Sequence, residues 1–299
     1  MNVLPSIREN VPLTPLTTWR MGGPARFLVE PTTIDEVVEA HDWAGRMGLP
    51  VFVMGKGSNL LVADDGYEGL IIRMGDRLGR AEVRGDVLWA EAGCPTHRFV
   101  KTGQERDLGG LEYLTTIPGS VGGTVFMNAG AHGHSVMDHL VSATLLLPDG
   151  SVTEVPAEML GYRYRHSNVR ERGATVLAGT FRVHEKSRQD SQREVQELAR
   201  WRRERQPQAL SAGSVFTNPP EAPAGKLIEQ AGCKGLTVGG AQVSPVHANF
   251  FVNLGGGTSR DMSELADRVQ ERVHEVHGIW LHAEVQTLGC ALGQTRSRT

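Results

Sequence analysis

Two glycine-rich loops, about sixty residues apart, constrain this chain more than any other feature. The first reads Gly55-Lys56-Gly57-Ser58-Asn59, and the second runs over 117–130 as Ile-Pro-Gly-Ser-Val-Gly-Gly-Thr-Val-Phe-Met-Asn-Ala-Gly. Glycine lets the backbone approach a ligand closely and reach positive φ, so that successive N–H groups can converge on an anion. A second loop of this kind predicts an extended ligand that is held in several places.

The glycine spacing excludes the two common nucleotide-binding fingerprints. No Gly-x-Gly-x-x-Gly opens a helix after the first strand, and Gly-x-x-x-x-Gly-Lys-Ser/Thr is absent from the chain. A dinucleotide site would therefore not lie on a Rossmann unit. By itself the first loop is equally consistent with a strand-to-helix turn, whereas the small and turn-forming residues of 117–123 favour ligand contact.

Composition narrows the class of protein further. A chain of 299 residues forms one large domain or two of ordinary size, and a net charge of −3 argues against binding to nucleic acid. Neither a membrane span nor a secretory signal is evident, so we expect a cytoplasmic protein. The three cysteines form no Cys-x-x-Cys pair, and the histidine pairs at 132/134 and 274/277 lack a third ligand, so we expect neither disulfides nor a metal.

Hydrophobic patterning predicts an α+β protein. A strand over 27–31, a helix that begins after Thr33 with capping-box spacing, and a strand over 50–54 are compatible with a parallel βαβ start. Residues 141–155 read as a hairpin around Pro148-Asp149-Gly150. Further along the chain, the pattern predicts helices over 188–205, 225–231 and 258–277, a final strand over 279–289 and a disordered tail over 293–299.

Three polar segments remain open on their residues alone. If Tyr162–Ser167 is a strand, alternation places Arg163 and Arg165 on one face, either as an anion clamp or as a solvated edge. Ser214 has no Gly-x-Ser-x-Gly around it and reads as a turn former. Glu284 lies in an apolar segment and is either outward-facing, which is favoured, or functional. The basic stretch at 200–205 is better explained as a solvated helix face than as a nucleic-acid patch.

Taken in order, the motifs resemble those of the UDP-N-acetylenolpyruvoylglucosamine reductase family. The resemblance runs from Thr18-Trp19-Arg20-Met21-Gly22-Gly23 to about Gly289. It is carried by an ordered set of motifs: Gly-x-Gly-Ser-Asn, Ile-Pro-Gly-Ser-Val-Gly-Gly, Tyr-Arg-x-Ser, Ala-Gly-Ser-x-Phe, Gly-Lys-Leu-Ile-Glu-Gln-Ala-Gly, His-Ala-Asn-Phe and a terminal Glu-Val.

This resemblance implies a fold and a cofactor. Residues 1–187 would form a two-lobed α+β FAD-binding domain of the vanillyl-alcohol-oxidase type, and 188–299 an α+β substrate-binding domain. FAD would be bound non-covalently, with NADPH as the reductant, in a monomer. The implied cofactor-binding residues are Gly55, Lys56, Gly57, Ser58, Asn59, Leu60, Pro118, Gly119, Ser120, Gly122, Gly123, Asn128 and Gly130.

The resemblance also implies a reaction, the reduction of UDP-N-acetylglucosamine enolpyruvate to UDP-N-acetylmuramate in peptidoglycan precursor synthesis. Flavin N5 would deliver a hydride to the terminal methylene carbon, and Ser214 would protonate the adjacent carbon. Arg165 would face the substrate carboxylate, with Glu284 beside it in its protonated form. The implied substrate-binding residues are Tyr164, Arg205, Asn218 and Lys226.

Two departures from the family pattern leave the proposed catalytic residues untouched, and the first of them affects one substrate contact. Thr217 stands where lysine is common, and Ala283 where proline is frequent. The short connection after Phe181 leaves no room for the inserted tyrosine element of the longer class. Two alternatives stay open: another flavin oxidoreductase of this superfamily acting on a hydroxy acid or alcohol, and a flavin- or nucleotide-binding module with a degraded site.

Overall fold

The computed structural model describes residues 6–293, which form two compact units, each built from several stretches of chain. The first unit contains the residues up to Arg8, Phe27–Lys56 and Gly69–Arg202. The second contains Glu9–Arg26, Gly57–Glu68 and the residues from Arg203 onward. The predicted disordered tail lies outside the described residues, apart from Gly293.

Most strands are short, as expected for an α+β chain. In chain order they are β1 (Arg8–Pro12), β2 (Pro24–Val29), β3 (Val51–Met54), β4 (Leu60–Val62), β5 (Tyr67–Arg73), β6 (Ala81–Arg84), β7 (Val87–Glu91), β8 (Leu108–Gly109), β9 (Gly130–Ala131), β10 (His134–Ser135), β11 (Leu140–Leu146), β12 (Val152–Pro156), β13 (Thr175–Arg182), β14 (His184–Glu185), β15 (Ser211–Ser214), β16 (Thr237–Val238), β17 (Ala241–Val243), β18 (Phe250–Asn253) and β19 (Gln286–Leu288).

Six α-helices lie within the described residues, together with several single 3-10 turns. They are α1 (Ile34–Arg46), α2 (Thr96–Gln104), α3 (Val121–Met127), α4 (Arg188–Arg205), α5 (Ala224–Gln230) and α6 (Ser259–His277). No helix in residues 6–293 is both long enough and apolar enough to cross a membrane.

The first unit is built around a five-stranded sheet in the order β12-β11-β13-β7-β6, with α3 packed on β13. The predicted hairpin at 141–155 is confirmed, because β11 and β12 pair antiparallel with Ala143 opposite Val155. A second sheet pairs β3 in parallel with β5, which lies between β3 and β2. The predicted βαβ start is therefore interrupted by β5. Thr33 caps α1, but Glu36 accepts from the backbone and hydroxyl of Thr32 instead of closing the predicted box.

The second unit places α5 and α6 against a four-stranded sheet in the order β15-β18-β17-β16. Helix α6 begins as predicted: the Thr258 side chain accepts from the Asp261 N–H, and the Asp261 carboxylate accepts from the Thr258 N–H. The apolar residues Met262, Leu265, Ala266, Val269 and Val273 of α6 are buried, but Val276 in its last turn is 48% exposed. The apolar face of this helix is therefore buried except in its last turn.

The predicted final strand is shorter than expected, and the segment that was considered conditionally as a strand is not one. Of the predicted strand over 279–289, only β19 is extended with strand partners, and it pairs in parallel with β4. The segment 162–167 forms a turn instead of a strand, because the backbones of Arg163 and His166 bond to each other across two intervening residues. The pairing of β19 with β4 depends on a distant partner, whereas the turn at 162–167 is closed by a local backbone pair.

The two units do not follow the predicted division at residue 187. Helix α4 belongs to the first unit as far as Arg202, and residues 9–26 and 57–68 join the second unit. Hydrogen bonds explain the N-terminal part of this arrangement: the Trp19 indole donates to the Phe251 carbonyl, and the Asn253 amide donates to the Trp19 carbonyl. The assignment of FAD binding to 1–187 and substrate binding to 188–299 stays a prediction.

Candidate active site

The start of the first glycine loop, Gly55 and Lys56, lies in the first unit together with the second loop. A Cβ atom added at Gly55 would meet the Ser120 hydroxyl, so the first loop passes directly against the second at this point. The first loop joins β3 to β4, both strands, which excludes the strand-to-helix turn considered above. Gly57 has a φ of 60°, which glycine adopts without strain. The structure thus brings together two segments that the sequence predicts to hold one ligand.

The second loop is fastened to the end of β7 and the start of α2. Ile117 and Gly119 accept hydrogen bonds from the hydroxyl and N–H of Thr96, at 2.8 and 3.2 Å. The Gly122 N–H donates to the Ala92 carbonyl at 2.8 Å, and a Cβ at Gly122 would lie 2.7 Å from that of Ala92. Gly122 is therefore required by packing inside the protein.

Gly123, the next residue, has a different environment. Gly123 is exposed on the first turn of α3. A Cβ atom added there would have the Ser120 hydroxyl oxygen, 3.8 Å away, as its nearest neighbour. Nothing in the described residues requires glycine at this position. Its backbone is open to a ligand.

The first loop presents unused backbone donors. Within residues 6–293, the N–H groups of Lys56, Gly57, Ser58 and Asn59 donate no hydrogen bond to a protein acceptor. Polar groups that lack protein partners are normally satisfied by water or by a ligand. Successive N–H groups in one loop suit the phosphate oxygens of a nucleotide, and the Lys56 ammonium, 3.9 Å from an Asp76 carboxylate oxygen, adds positive charge.

Thr18, which the sequence analysis did not single out as a site residue, positions the first loop within the second unit. Its N–H and hydroxyl both lie within hydrogen-bond distance of the Gly57 carbonyl, at 3.1 and 3.4 Å. Trp19 beside it is completely buried and bonded to β18 as described above. The Thr-Trp pair at the start of the family resemblance was the only sequence signal for this role.

The segments that carry Ser214 and Glu284 are neighbours in the second unit. The Glu284 N–H donates to the Val215 carbonyl at 2.8 Å, and Phe216 forms an isolated antiparallel bridge with Ala283. Both Ser214 and Glu284 are half-buried. The backbone hydrogen bond therefore places the residue after the serine directly against the glutamate.

Asn59 connects the first glycine loop to the same segments. Its side-chain amide donates to the Glu284 carbonyl at 3.2 Å, and its own carbonyl accepts from the Gln286 N–H at 3.1 Å. The second unit thus joins three predicted site residues, Asn59, Ser214 and Glu284, through two short links. The side chain of Leu60, predicted as a cofactor residue, is buried in β4.

Asn249 braces the serine segment and was not predicted as a site residue. The side-chain oxygen of Asn249 accepts from the Phe216 N–H at 3.0 Å, and its amide donates to the Phe216 carbonyl at 2.8 Å. Its own carbonyl accepts from the Val215 N–H. Asn249 is 2% exposed and lies in the His-Ala-Asn-Phe motif, which was its sequence signal.

We expect Asn249→Ala to lower the free energy of unfolding by about 2–4 kcal/mol, because it leaves two buried backbone groups of Phe216 without partners. Chemical denaturation followed by circular dichroism measures this change. The control is Thr217→Ala, which removes an exposed hydrogen bond from the same segment to the His282 carbonyl. A loss no larger than that of the control would show that the brace contributes nothing.

Arg165 lies in a tight turn of the first unit. It has a φ of 54°, and its guanidinium donates to the Gly130 carbonyl at 2.8 Å. The ring of Tyr164 beside it lies 5.2 Å from the guanidinium carbon and is 55% exposed. The Arg163 guanidinium instead contacts the His166 ring, so the two arginines do not form the paired clamp considered from the sequence.

Asn128, predicted as a cofactor residue, is buried at the end of α3, where its side chain makes two hydrogen bonds within the protein. The predicted substrate residues Asn218 and Lys226 lie near the start of α5, where the Asn218 oxygen accepts from the Ala224 N–H. Arg205 ends α4 and is exposed beside Glu204.

Burial raises the pKa of two groups that adjoin the second loop and α3. The pKa of the Cys94 thiol rises to about 11, because desolvation outweighs the opposing effect of Arg98. Desolvation and the neighbouring Tyr113 also raise the pKa of Tyr162, whose hydroxyl donates to the Val125 carbonyl. Both groups therefore stay protonated at neutral pH, and Cys94 is not a reactive thiolate.

Two stretches of the chain match known protein families. Residues 25–156 match the family described as FAD binding domain. Residues 206–288 match the family described as UDP-N-acetylenolpyruvoylglucosamine reductase, C-terminal domain.

Close relatives carry the same name. The UDP-N-acetylenolpyruvoylglucosamine reductase of Rubrobacter xylanophilus is 42% identical over 288 residues, which is 96% of this chain and 97% of that protein. That of Bacillus subtilis is 37% identical over 95% of this chain and 94% of that protein. The crystal structure of the Thermus caldophilus reductase superposes with a TM-score of 0.82 at 36% identity, covering 95% of this chain and all of the other.

Proposed function

Because this chain belongs to the UDP-N-acetylenolpyruvoylglucosamine reductase family, we propose that it reduces UDP-N-acetylglucosamine enolpyruvate to UDP-N-acetylmuramate with FAD and NADPH. The observation that carries the proposal is the match over 96% of the chain to a reductase of that name. An oxidase acting on a hydroxy acid or alcohol, the alternative considered from the sequence, is not favoured by these relatives.

The residues present fit FAD. In the first unit, the crossing of the two loops at Gly55 and the open backbone of Gly123 are suited to an anionic ligand. In the second unit, the N–H groups of Gly57, Ser58 and Asn59 are unused by the described protein groups. The predicted cofactor residues of both loops would hold it mainly through backbone groups, while Gly122 acts through packing. When bound, FAD accepts a hydride from NADPH and supplies a hydride to the substrate.

The three proposed catalytic residues stabilise the negative charge that hydride addition leaves on the substrate and supply the proton that completes the reduction. Hydride addition at the terminal methylene carbon leaves negative charge on the adjacent carbon, which spreads into the carboxylate. We assign Arg165 to bind that carboxylate and Glu284 to donate a hydrogen bond to it. Ser214 then donates its hydroxyl proton to the adjacent carbon, and solvent restores the proton to the serine.

The reaction balances with one reductant and one proton. NADPH loses a hydride to become NADP⁺, the carbon–carbon double bond gains that hydride and one proton, and the ether to the sugar stays intact. The serine hydroxyl is a weak acid, but it suffices because the carbon that it protonates is a far stronger base.

Substrate recognition follows from the remaining predicted residues. We assign Tyr164, Asn218 and Lys226 to the sugar nucleotide and Arg205 to its diphosphate, where a guanidinium binds phosphate oxygens bidentately. Thr217 cannot supply the cation that lysine gives at this position. A monomeric state and a cytoplasmic location remain predictions.

A spectroscopic experiment tests the function. The purified protein should carry near-stoichiometric flavin absorption that bleaches with NADPH under anaerobic conditions. The enolpyruvyl sugar nucleotide should then restore the oxidised spectrum and yield UDP-N-acetylmuramate. A colourless protein that stays colourless with FAD, or a reduced protein that this substrate fails to reoxidise, would overturn the proposal.

We expect adjacent glycine substitutions to have opposite effects on stability. Gly123→Ala should raise the free energy of unfolding of the FAD-free protein by about 0.5–1 kcal/mol, because alanine favours the helix. It should also weaken FAD binding about tenfold or more, since the added Cβ enters the cofactor's space. Gly122→Ala should instead lower stability by about 1–3 kcal/mol through its clash with Ala92.

Denaturation and FAD titration measure both effects. The control is Gly45→Ala in α1, where an added Cβ meets nothing within 4 Å, so stability should rise with FAD affinity unchanged. If Gly123→Ala binds FAD as tightly as this control, Gly123 does not contact the cofactor.

A further inference from the structure

The turn that carries Arg165 is attached to α3 at three places. On its two flanks, the Tyr162 hydroxyl donates to the Val125 carbonyl at 3.1 Å and the Ser167 hydroxyl donates to the Phe126 carbonyl at 2.6 Å. The third attachment reaches the turn itself, because the Asn128 amide donates to the Arg163 carbonyl at 2.9 Å. That carbonyl also accepts the His166 N–H that closes the turn.

Asn128 combines a left-handed backbone conformation with two side-chain hydrogen bonds. It ends α3 in the left-handed region, with φ 44° and ψ 53°, which asparagine tolerates better than most residues. Its side-chain oxygen accepts from the Met137 N–H at 3.0 Å, while its amide holds the turn. With 2% exposure, the side chain is directed entirely to protein partners.

The same residue fixes the other support of Arg165. Gly130, whose carbonyl accepts from the Arg165 guanidinium, follows Asn128 by two residues in β9. A Cβ at Gly130 would lie 3.2 Å from a guanidinium nitrogen, so this contact is close as well as hydrogen-bonded. Asn128 is therefore bonded to the turn from which Arg165 projects and lies two residues before the strand on which its guanidinium rests.

We propose that Asn128 is a positioning residue for Arg165, acting through the Arg163 carbonyl, and that its side chain is not a ligand of the cofactor. The proposal rests on the proposed function only through the role of Arg165. It replaces the cofactor contact that the sequence predicts for Asn128. An amide is needed because one group must donate to a carbonyl while the other accepts from an N–H.

Asn128→Asp tests this assignment, since a carboxylate keeps the acceptor for Met137 but cannot donate to Arg163 when ionised. At pH 8, we expect reoxidation of the reduced enzyme by UDP-N-acetylglucosamine enolpyruvate to slow about 10–100-fold, with FAD affinity and reduction by NADPH within about threefold of wild type. Ser167→Ala, which removes a neighbouring hydrogen bond to the same helix, is the matched control and should leave reoxidation within about threefold.

A double-mutant cycle separates positioning from general destabilisation. In the Arg165→Lys background, Asn128→Asp should slow reoxidation by less than about threefold, because the group that it positions is already lost. Equal fold-losses in both backgrounds would overturn the proposal, and so would weakened FAD binding with normal reoxidation. If the aspartate variant does not fold, Asn128→Gly, which keeps the left-handed backbone, is measured with the same expectations.

Failure of this inference is distinguishable from failure of the proposed function. Wild-type enzyme that the enolpyruvyl substrate does not reoxidise would refute the function. Wild-type enzyme that reacts normally, alongside Asn128 variants that behave like Ser167→Ala, would refute only the role of Asn128.

Discussion

Ser214→Ala is expected to slow reoxidation of the reduced enzyme by the enolpyruvyl substrate about 10²–10⁴-fold, the usual contribution of a positioned general acid. Reduction by NADPH should stay within about threefold of wild type, because no proton has to reach the substrate in that half-reaction. Stopped-flow absorption measures the two half-reactions separately under anaerobic conditions.

The position of Ser214 explains why this effect should be large. Ser214 ends β15, and Gly213 before it has a φ of 79°, a conformation that side-chain-bearing residues rarely adopt. Among the described residues, the Ser214 hydroxyl makes no hydrogen bond to another protein group, so it is available to a substrate. The hydrogen bonds of Asn249 to Val215 and Phe216, which follow Ser214, limit the movement of the serine.

Two variants control this prediction. Ser211→Ala changes a serine in the same strand and should leave both half-reactions within about threefold. Ser214→Cys keeps a proton donor at the position and should recover part of the rate that alanine loses. Equal losses in both half-reactions of Ser214→Ala would remove the serine from the proton-transfer step.

Arg165→Lys is the second change with a large expected effect, a reoxidation rate about 10²-fold below wild type. An ammonium ion cannot make the two parallel hydrogen bonds with which a guanidinium binds a carboxylate. The lysine also cannot reproduce the planar fork that rests on the Gly130 carbonyl. Because the charge is kept, the loss reports geometry and not simply the absence of a cation.

Rapid-mixing measurements over a range of substrate concentrations separate binding from the chemical step in Arg165→Lys. Arg170→Lys is the control, since that exposed guanidinium lies over the Phe126 ring and has no role in the proposed site. Wild-type turnover in Arg165→Lys would exclude a two-pronged contact with the carboxylate.

Elements controlled by nearby residues were predictable from the sequence. Helix α4 spans the predicted 188–205, and α6 begins at the predicted cap, because the signals lie within one or two turns of the chain. The hairpin of β11 and β12 follows from Pro148-Asp149-Gly150 for the same reason. In each case the interactions that select the structure are local.

Elements selected by distant partners were not predictable. Residues 279–285 have a strand-like composition. Their backbone nevertheless makes only isolated hydrogen bonds to Val215 and Asn59, and not the continuous ladder of a strand pair. For the segment of Arg165, a strand was considered only as a condition, because alternation was its only local signal. Its turn depends instead on Asn128, 37 residues earlier, and on the Arg163–His166 backbone pair.

The sequence by itself determined the family and the two glycine loops, because these are ordered motifs that can be read without coordinates. The catalytic residues that we propose come from the same motifs. Only the tertiary structure decided that the loops cross at Gly55 and Ser120, and that Asn249 and Asn128 brace the segments bearing Ser214 and Arg165. The physical reason is that a buried amide acts through partners far away in the chain. Its two hydrogen bonds exist only after folding has brought those partners within about 3 Å.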